Sequence, residues 1–114
     1  MEPIETFKQF VASAMQYAIK SHDNLFKENY DISISLAYLN ASISRFSSAE
    51  ALYYAQYDIL QRKEAEKLFH QFKVYANEFL NNVETDHSHQ WTDIEFNKLS
   101  DIFDSSAFAF ENLS

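Results

Sequence analysis

Glycine and cysteine are both absent from this 114-residue chain, and proline occurs once, at Pro3. Tight turns with positive φ are made most cheaply by glycine, so a sheet protein with many hairpins is excluded in favour of helices joined by Asn, Asp and Ser turns. Phosphate-cradling and dinucleotide-binding loops need glycine as well, and so does the sharp nucleophile turn of the hydrolases. Without cysteine there is no disulfide frame, no thiolate metal site and no cysteine nucleophile. The opening MEPIETFKQF lacks a basic segment followed by an apolar run, and no stretch approaches the roughly 20 apolar residues of a membrane span. These absences lead to the expectation of a soluble cytoplasmic protein with no membrane association.

What is present is apolar and aromatic. Hydrophobic residues make up 46% and aromatics 17% of the chain, enough for one core in a single domain over residues 1–114. A first helix is predicted from Pro3 into the high twenties, because Ile4, Phe7, Val11, Ala14, Met15, Ala18, His22, Leu25 and Phe26 recur at steps of three and four. Asp31 reads as the N-cap of a second helix from Ile32 to about Leu60, with the stripe Ile32, Leu36, Leu39, Ile43, Phe46, Glu50, Tyr53, Tyr57 and Leu60. Glu50 breaks that stripe, and Ser47 to Glu50 also has the form of a capping box. Either one long helix buries a carboxylate edge, or the helix is kinked near Ser47–Ser48.

A second apolar band on this helix, through Ile34, Tyr38, Ala41, Leu52 and Ile59, predicts a central position or a homodimer contact. A third helix over about Lys63 to Val83 has its stripe from Ala65 to Val83. A fourth is expected to start at Thr92 as N-cap, with Glu95 at N3 and Trp91 stapled to Phe96. Its core face is then Phe96, Leu99, Phe103, Ala107 and Phe110. The fold class is therefore all-α, an antiparallel up-down-up-down four-helix bundle.

The formal net charge is −8, and residues 84–114 carry seven acids against Lys98 alone. A nucleic-acid binder has the opposite sign, so the partner expected is a protein with a basic surface. On the fourth helix Asp93, Asp101, Asp104 and Glu111 fall within about 80° of arc, with Phe108 among them as an apolar anchor inside an acidic rim.

Other constellations carry less. Glu66 and His70 share a face of the third helix but lie away from its stripe, in solvent. A carboxylate-bridged di-metal centre needs two Glu-x-x-His pairs facing inward, and only Glu84 with His87 has that spacing. In the loop, His87 and His89 stand at alternate positions and could chelate one ion. His22, on the apolar stripe, reads as a hydrogen-bonded core histidine whose registry lies opposite Tyr38 and Leu39. Glu50 falls opposite Phe72 and Lys73, with Lys73 the expected partner. Together with Tyr53 and Tyr57, Glu50 is also the candidate for a small-ligand pocket. No cofactor is implied.

The run NYDISISLAYLNAS followed by SSAEALYYAQYDILQ loosely resembles HEPN-type helical domains over residues 29–61. Arg62 and His70 stand too far apart for the ribonuclease motif of that family, so the resemblance implies a helical bundle and no nuclease activity. The expected function is a non-enzymatic interaction or regulatory module (adaptor, inhibitor or immunity-like) that meets a basic partner with its acidic C-terminal helix. The alternative is a small-ligand or metal-binding bundle.

Overall fold

The computed structural model describes residues 2–85 and 89–110, and all regular structure there is helical. Five helices follow one another: α1 (Pro3–Leu25), α2 (Ile32–Ala55), α3 (Tyr57–Leu60), α4 (Lys63–Thr85) and α5 (Gln90–Asp104). Pro3 opens α1 where its missing N–H costs nothing. Asp31 caps α2, its Oδ1 accepting from Ser33 N at 2.8 Å. None of these helices is long and apolar enough to cross a membrane.

The second helix runs without interruption through Ser47 and Ser48. Its break comes later, at Gln56, after which α3 makes one further turn. The buried stripe also differs from the expected one. Leu39, Phe46 and Tyr53 are buried, but their companions are Ser35, Ser42 and Ala49, whereas Ile32, Leu36, Ile43 and Glu50 lie half-buried at the flank. On α1 the matching positions are Phe7, Val11, Ala14, Ala18, Ser21 and Leu25. Both sets repeat every seven residues, the spacing that keeps one seam facing a neighbour at a shallow crossing angle.

Small side chains line this seam, so the two helices come together closely enough for hydroxyls on one to reach carbonyls on the other. Ser42 Oγ donates to Ala14 O at 2.7 Å, Ser21 Oγ to Ser35 O at 2.7 Å, and Ser35 Oγ back to Ser21 O at 3.0 Å. Asn24 closes the turn by donating to Asp31 O and Ser35 Oγ. These pairings make α1 and α2 an antiparallel hairpin. The serines that propensity would send to the surface are buried because each hydroxyl is satisfied.

Helices α4 and α5 form a second hairpin. Gln71 Nε2 donates to Glu95 O at 3.0 Å and to Glu95 Oε2 at 2.9 Å, and His89 meets Asn82 Oδ1 at 2.8 Å. Large rings span the space between the hairpins. Phe69 of α4 sits edge-on to Phe7, Phe46 and Tyr53, and Phe72 lies 4.2 Å from Phe46. Tyr53 reaches past this layer to donate to Glu66 Oε2 at 2.7 Å and to accept from Arg62 N at 3.1 Å. The result measures 43 × 22 × 22 Å.

The start and end of α5 are not as expected. The helix begins at Gln90, so Thr92 lies inside its first turn, fully buried and with no partner for Oγ1 among the described residues. Glu95 is drawn to Gln71 and Lys98 instead of capping, and Trp91 is 58% exposed. At the far end the helix stops at Asp104. Ser106 Oγ donates to Phe103 O at 2.6 Å and accepts from Phe108 N at 3.1 Å. This serine turn changes the phase of the chain: Ala107 becomes exposed, Phe110 is 39% exposed, and Phe108 enters the core.

Candidate functional site

Two surfaces merit a functional reading, one along the α1–α5 seam and one between α2 and α4. On the first, His22 is the central residue. Its ring stacks on Phe96 at 3.9 Å with the planes 8° apart, Nε2 lies 2.8 Å from Asp93 Oδ1, and Nδ1 lies 3.1 Å from Asp23 Oδ1. Only a ring protonated on both nitrogens can donate to both carboxylates at once. Both nitrogens meet carboxylates, and through Asp93 His22 links the two hairpins. The expected hydrogen-bonded histidine is present, with the neighbouring Asp23 and Asp93 of α5 as its partners.

Beyond His22 the seam becomes aromatic. Phe26 lies 4.9 Å from the His22 ring, His89 lies 6.0 Å from Phe26, and Tyr30 lies 5.3 Å from His89. Phe26 is 54% exposed because α1 ends at Leu25 and leaves Phe26 as its C-cap. Tyr30 is 43% exposed in the turn that follows. Down α5 from this aromatic end come Asp93, then Asp101 and Asp104, both exposed and without an ion pair among the described residues. Asp93 is half committed to His22, with Asn97 Nδ2 at 3.5 Å from its other oxygen.

Phe108 is not part of this face. It is fully buried, edge-on to Phe7 at 5.0 Å, so the exposed apolar anchor expected at that position does not exist. The expectation placed Phe108 on a continuing helix, and the serine turn after Asp104 removes that condition. Glu111 and His87 lie outside the described residues. His89 is half-buried, with Nδ1 against Asn82. No group of three or more His, Asp or Glu side chains among the described residues is arranged to hold a metal.

The second surface is a groove of about 310 Å³ between α2 and α4, walled by Ile43, Phe46, Phe69, Phe72, Ala76 and Leu80. Glu50 and Lys73 stand at its rim, joined at 3.0 Å, with the carboxylate side chain 29% and the lysine 63% exposed. Lys73 is the partner expected for Glu50. The tyrosines expected beside Glu50 are elsewhere. Tyr53 is buried with its hydroxyl committed to Glu66 and Arg62, and Tyr57 stacks on Tyr54 on another part of the surface. The three residues do not line a common pocket. Glu66 and His70 are exposed, as expected.

Of the outer band of α2, Ile34 is 45% exposed, and Tyr38 stacks on Tyr17 with Lys20 Nζ 5.6 Å from its ring. Ile59 falls beyond the break, in α3.

Several groups are shifted by their surroundings. Burial pushes the Tyr53 phenol up to about 12, and the Glu66 carboxylate adds to the effect. Burial pushes the Tyr75 phenol up further still. Ser21 stands near the Tyr75 hydroxyl, but the Tyr75 oxygen makes no hydrogen bond among the described residues. Glu95 is held below the ordinary carboxylate range by the Gln71 amide and then by Lys98.

Comparison with known proteins returns no matching family model, no matching curated protein and no matching solved structure. The likeness to HEPN-type domains therefore stays one of residue types. Phe26, expected on the apolar stripe of the first helix, is instead exposed because α1 ends one residue before it. Asp23 and Tyr30 beside it were not singled out by the sequence, since nothing local directs Asp23 onto His22 or brings Tyr30 against His89.

Proposed function

We propose that the protein is a non-enzymatic interaction module, an up-down-up-down four-helix bundle that binds a basic protein segment along the α1–α5 seam. One observation carries the reading. Phe26 and Tyr30 flank His89 as exposed aromatics, Asp23 and Asp93 meet at His22, and helical spacing puts the exposed Asp101 and Asp104, which have no ion pair among the described residues, on the Asp93 side of α5.

Aromatic faces beside carboxylates suit lysine and arginine side chains, which gain from both the ring and the charge. The chain's net charge of −8 draws basic partners in from a distance, and the contacts then hold them. Phe26 and Tyr30 take the anchoring role that the sequence assigned to Phe108. Self-association through α2 would use Ile34 and Tyr38, and light scattering of Ile34→Glu against the parent protein reads it.

The test is affinity capture from the native host's extract at low salt, eluted with a salt gradient. The reading expects one basic protein that elutes early and is lost from columns carrying Asp101→Asn with Asp104→Asn. Capture that ignores both salt and these changes overturns it.

A further inference from the structure

The groove between α2 and α4 lies on the seam opposite the acidic face, so the proposed interaction leaves it unused. Its floor is aromatic, with Phe46 and Phe72 rings 4.2 Å apart, and its far wall is Leu80, itself 41% exposed. The volume of about 310 Å³ is at the small end of the range for organic-ligand sites. Its polar groups are gathered at the rim, in Glu50, Lys73, Ser47 and Asn77. An apolar trough with one charged end fits a molecule with an apolar body and one charged head.

The sign of that head follows from the ion pair. Glu50 is the more enclosed partner at 29% exposure, and Lys73 at 63% already stands largely in water. A rim ion pair of this kind contributes about 0–1 kcal/mol, so Lys73 can leave at little cost and be solvated on its flexible stem. A ligand ammonium can then take its place on Glu50. A ligand carboxylate could reach Lys73 only with the more enclosed Glu50 beside it, and would face that second negative charge at close range. The net charge of −8 acts in the same direction, concentrating cations and excluding anions.

We infer that the α2–α4 groove is a binding site for a small amphiphilic organic cation, an alkyl- or arylammonium whose apolar body lies on Phe46, Phe72 and Leu80 and whose ammonium replaces Lys73 at Glu50. The site is independent of the protein-binding face and stands or falls separately.

The probes are phenylbutylammonium, its carboxylate counterpart phenylpentanoate and the neutral phenylbutanol. Each is titrated into isotopically labelled protein while side-chain and amide resonances of Ile43, Ala76 and Leu80 are followed. The inference expects saturable shifts there, with the ammonium binding about five- to tenfold more tightly than the carboxylate. Glu50→Gln should bring the three probes to within about twofold of one another. Lys73→Met should strengthen ammonium binding, since the competing internal cation is gone. Circular dichroism on each variant confirms the fold, and both positions are at the rim, where neither change opens the core. Equal binding of ammonium and carboxylate overturns the inference, as does a preference left undiminished by Glu50→Gln. Shifts confined to residues outside the groove overturn it too.

Discussion

His22 of α1 and Asp93 of α5 lie 71 residues apart in sequence and meet at 2.8 Å, closing one seam between two hairpins. The ring also rests flat on Phe96, so His22 contributes both a polar contact and an aromatic one. Asp93→Asn removes the charge and keeps the shape, and is expected to cost about 1 kcal/mol because Asp93 is partly solvated. His22→Ala removes the stacking as well and should cost about 2–3 kcal/mol. Urea unfolding of the two single variants and the double variant measures the coupling, and additive losses would mean that the pair contributes nothing jointly.

Ser42 tests the close α1–α2 seam. Ser42→Ala loses one buried hydrogen bond and returns Ala14 O to its intrahelical bond alone, for about 1 kcal/mol. Ser42→Leu makes the helix more apolar yet should cost more than Ser42→Ala, because the seam has no room for the larger side chain. Thermal melts that rank leucine above alanine would show that the two helices are not so closely packed.

Two buried tyrosines should respond in opposite ways to loss of the hydroxyl. Tyr53→Phe gives up bonds to Glu66 and Arg62 and is expected to cost about 1–2 kcal/mol. Tyr75→Phe removes a buried oxygen with no partner among the described residues, so it should be neutral or stabilising. Phenolate absorbance offers a second readout. Tyr53 is raised from 10.0 to about 12 in the folded protein, so its contribution to stability is complete below about pH 10 and is lost as pH rises through 12. Tyr53→Phe should flatten that alkaline limb.

Glu95 gives the acid-side counterpart. Its folded carboxyl is held below the usual range by Gln71 and Lys98, so it stabilises the fold above the ordinary carboxylate pKa and stops doing so as pH falls through the folded value. Glu95→Gln is expected to weaken the protein at neutral pH and to reduce the fall in stability on acidification. An acid limb identical to that of the parent would remove Glu95 from the account.

The long helices were legible in the sequence because their apolar periodicity is strong, and the absence of glycine left few alternatives to helix. Asp31 and Pro3 were readable as start signals because each has one clear physical use. Leu39, Phe46 and Tyr53 were read correctly as inward, and what could not be read was which residues of α2 share that inward face with them. Ser35, Ser42 and Ala49 look like a solvent face until a partner helix supplies carbonyls for the hydroxyls, and that partner is tertiary information. The same reason explains why Glu50 appeared to interrupt the core, when it borders the seam and meets Lys73. Phe108 was misplaced by a local event, the Ser106 turn that ends the helical phase. His22 and Asp93 were each conspicuous, but nothing local says that the first helix and the last lie side by side.

The central claim is that the α1–α5 seam, with Phe26, Tyr30, Asp101 and Asp104, is the partner-binding face. The most direct measurement is amide chemical-shift mapping on labelled protein, with the captured basic partner added at low salt. The account predicts that the perturbed residues fall on Asp23 to Tyr30 and on the exposed side of α5 from His89 to Asp104, and that Phe26→Ala with Tyr30→Ala weakens binding about tenfold or more. Perturbations on the groove between α2 and α4, or on the outer face of α2 around Ile34 and Tyr38, with the seam unchanged, would contradict it.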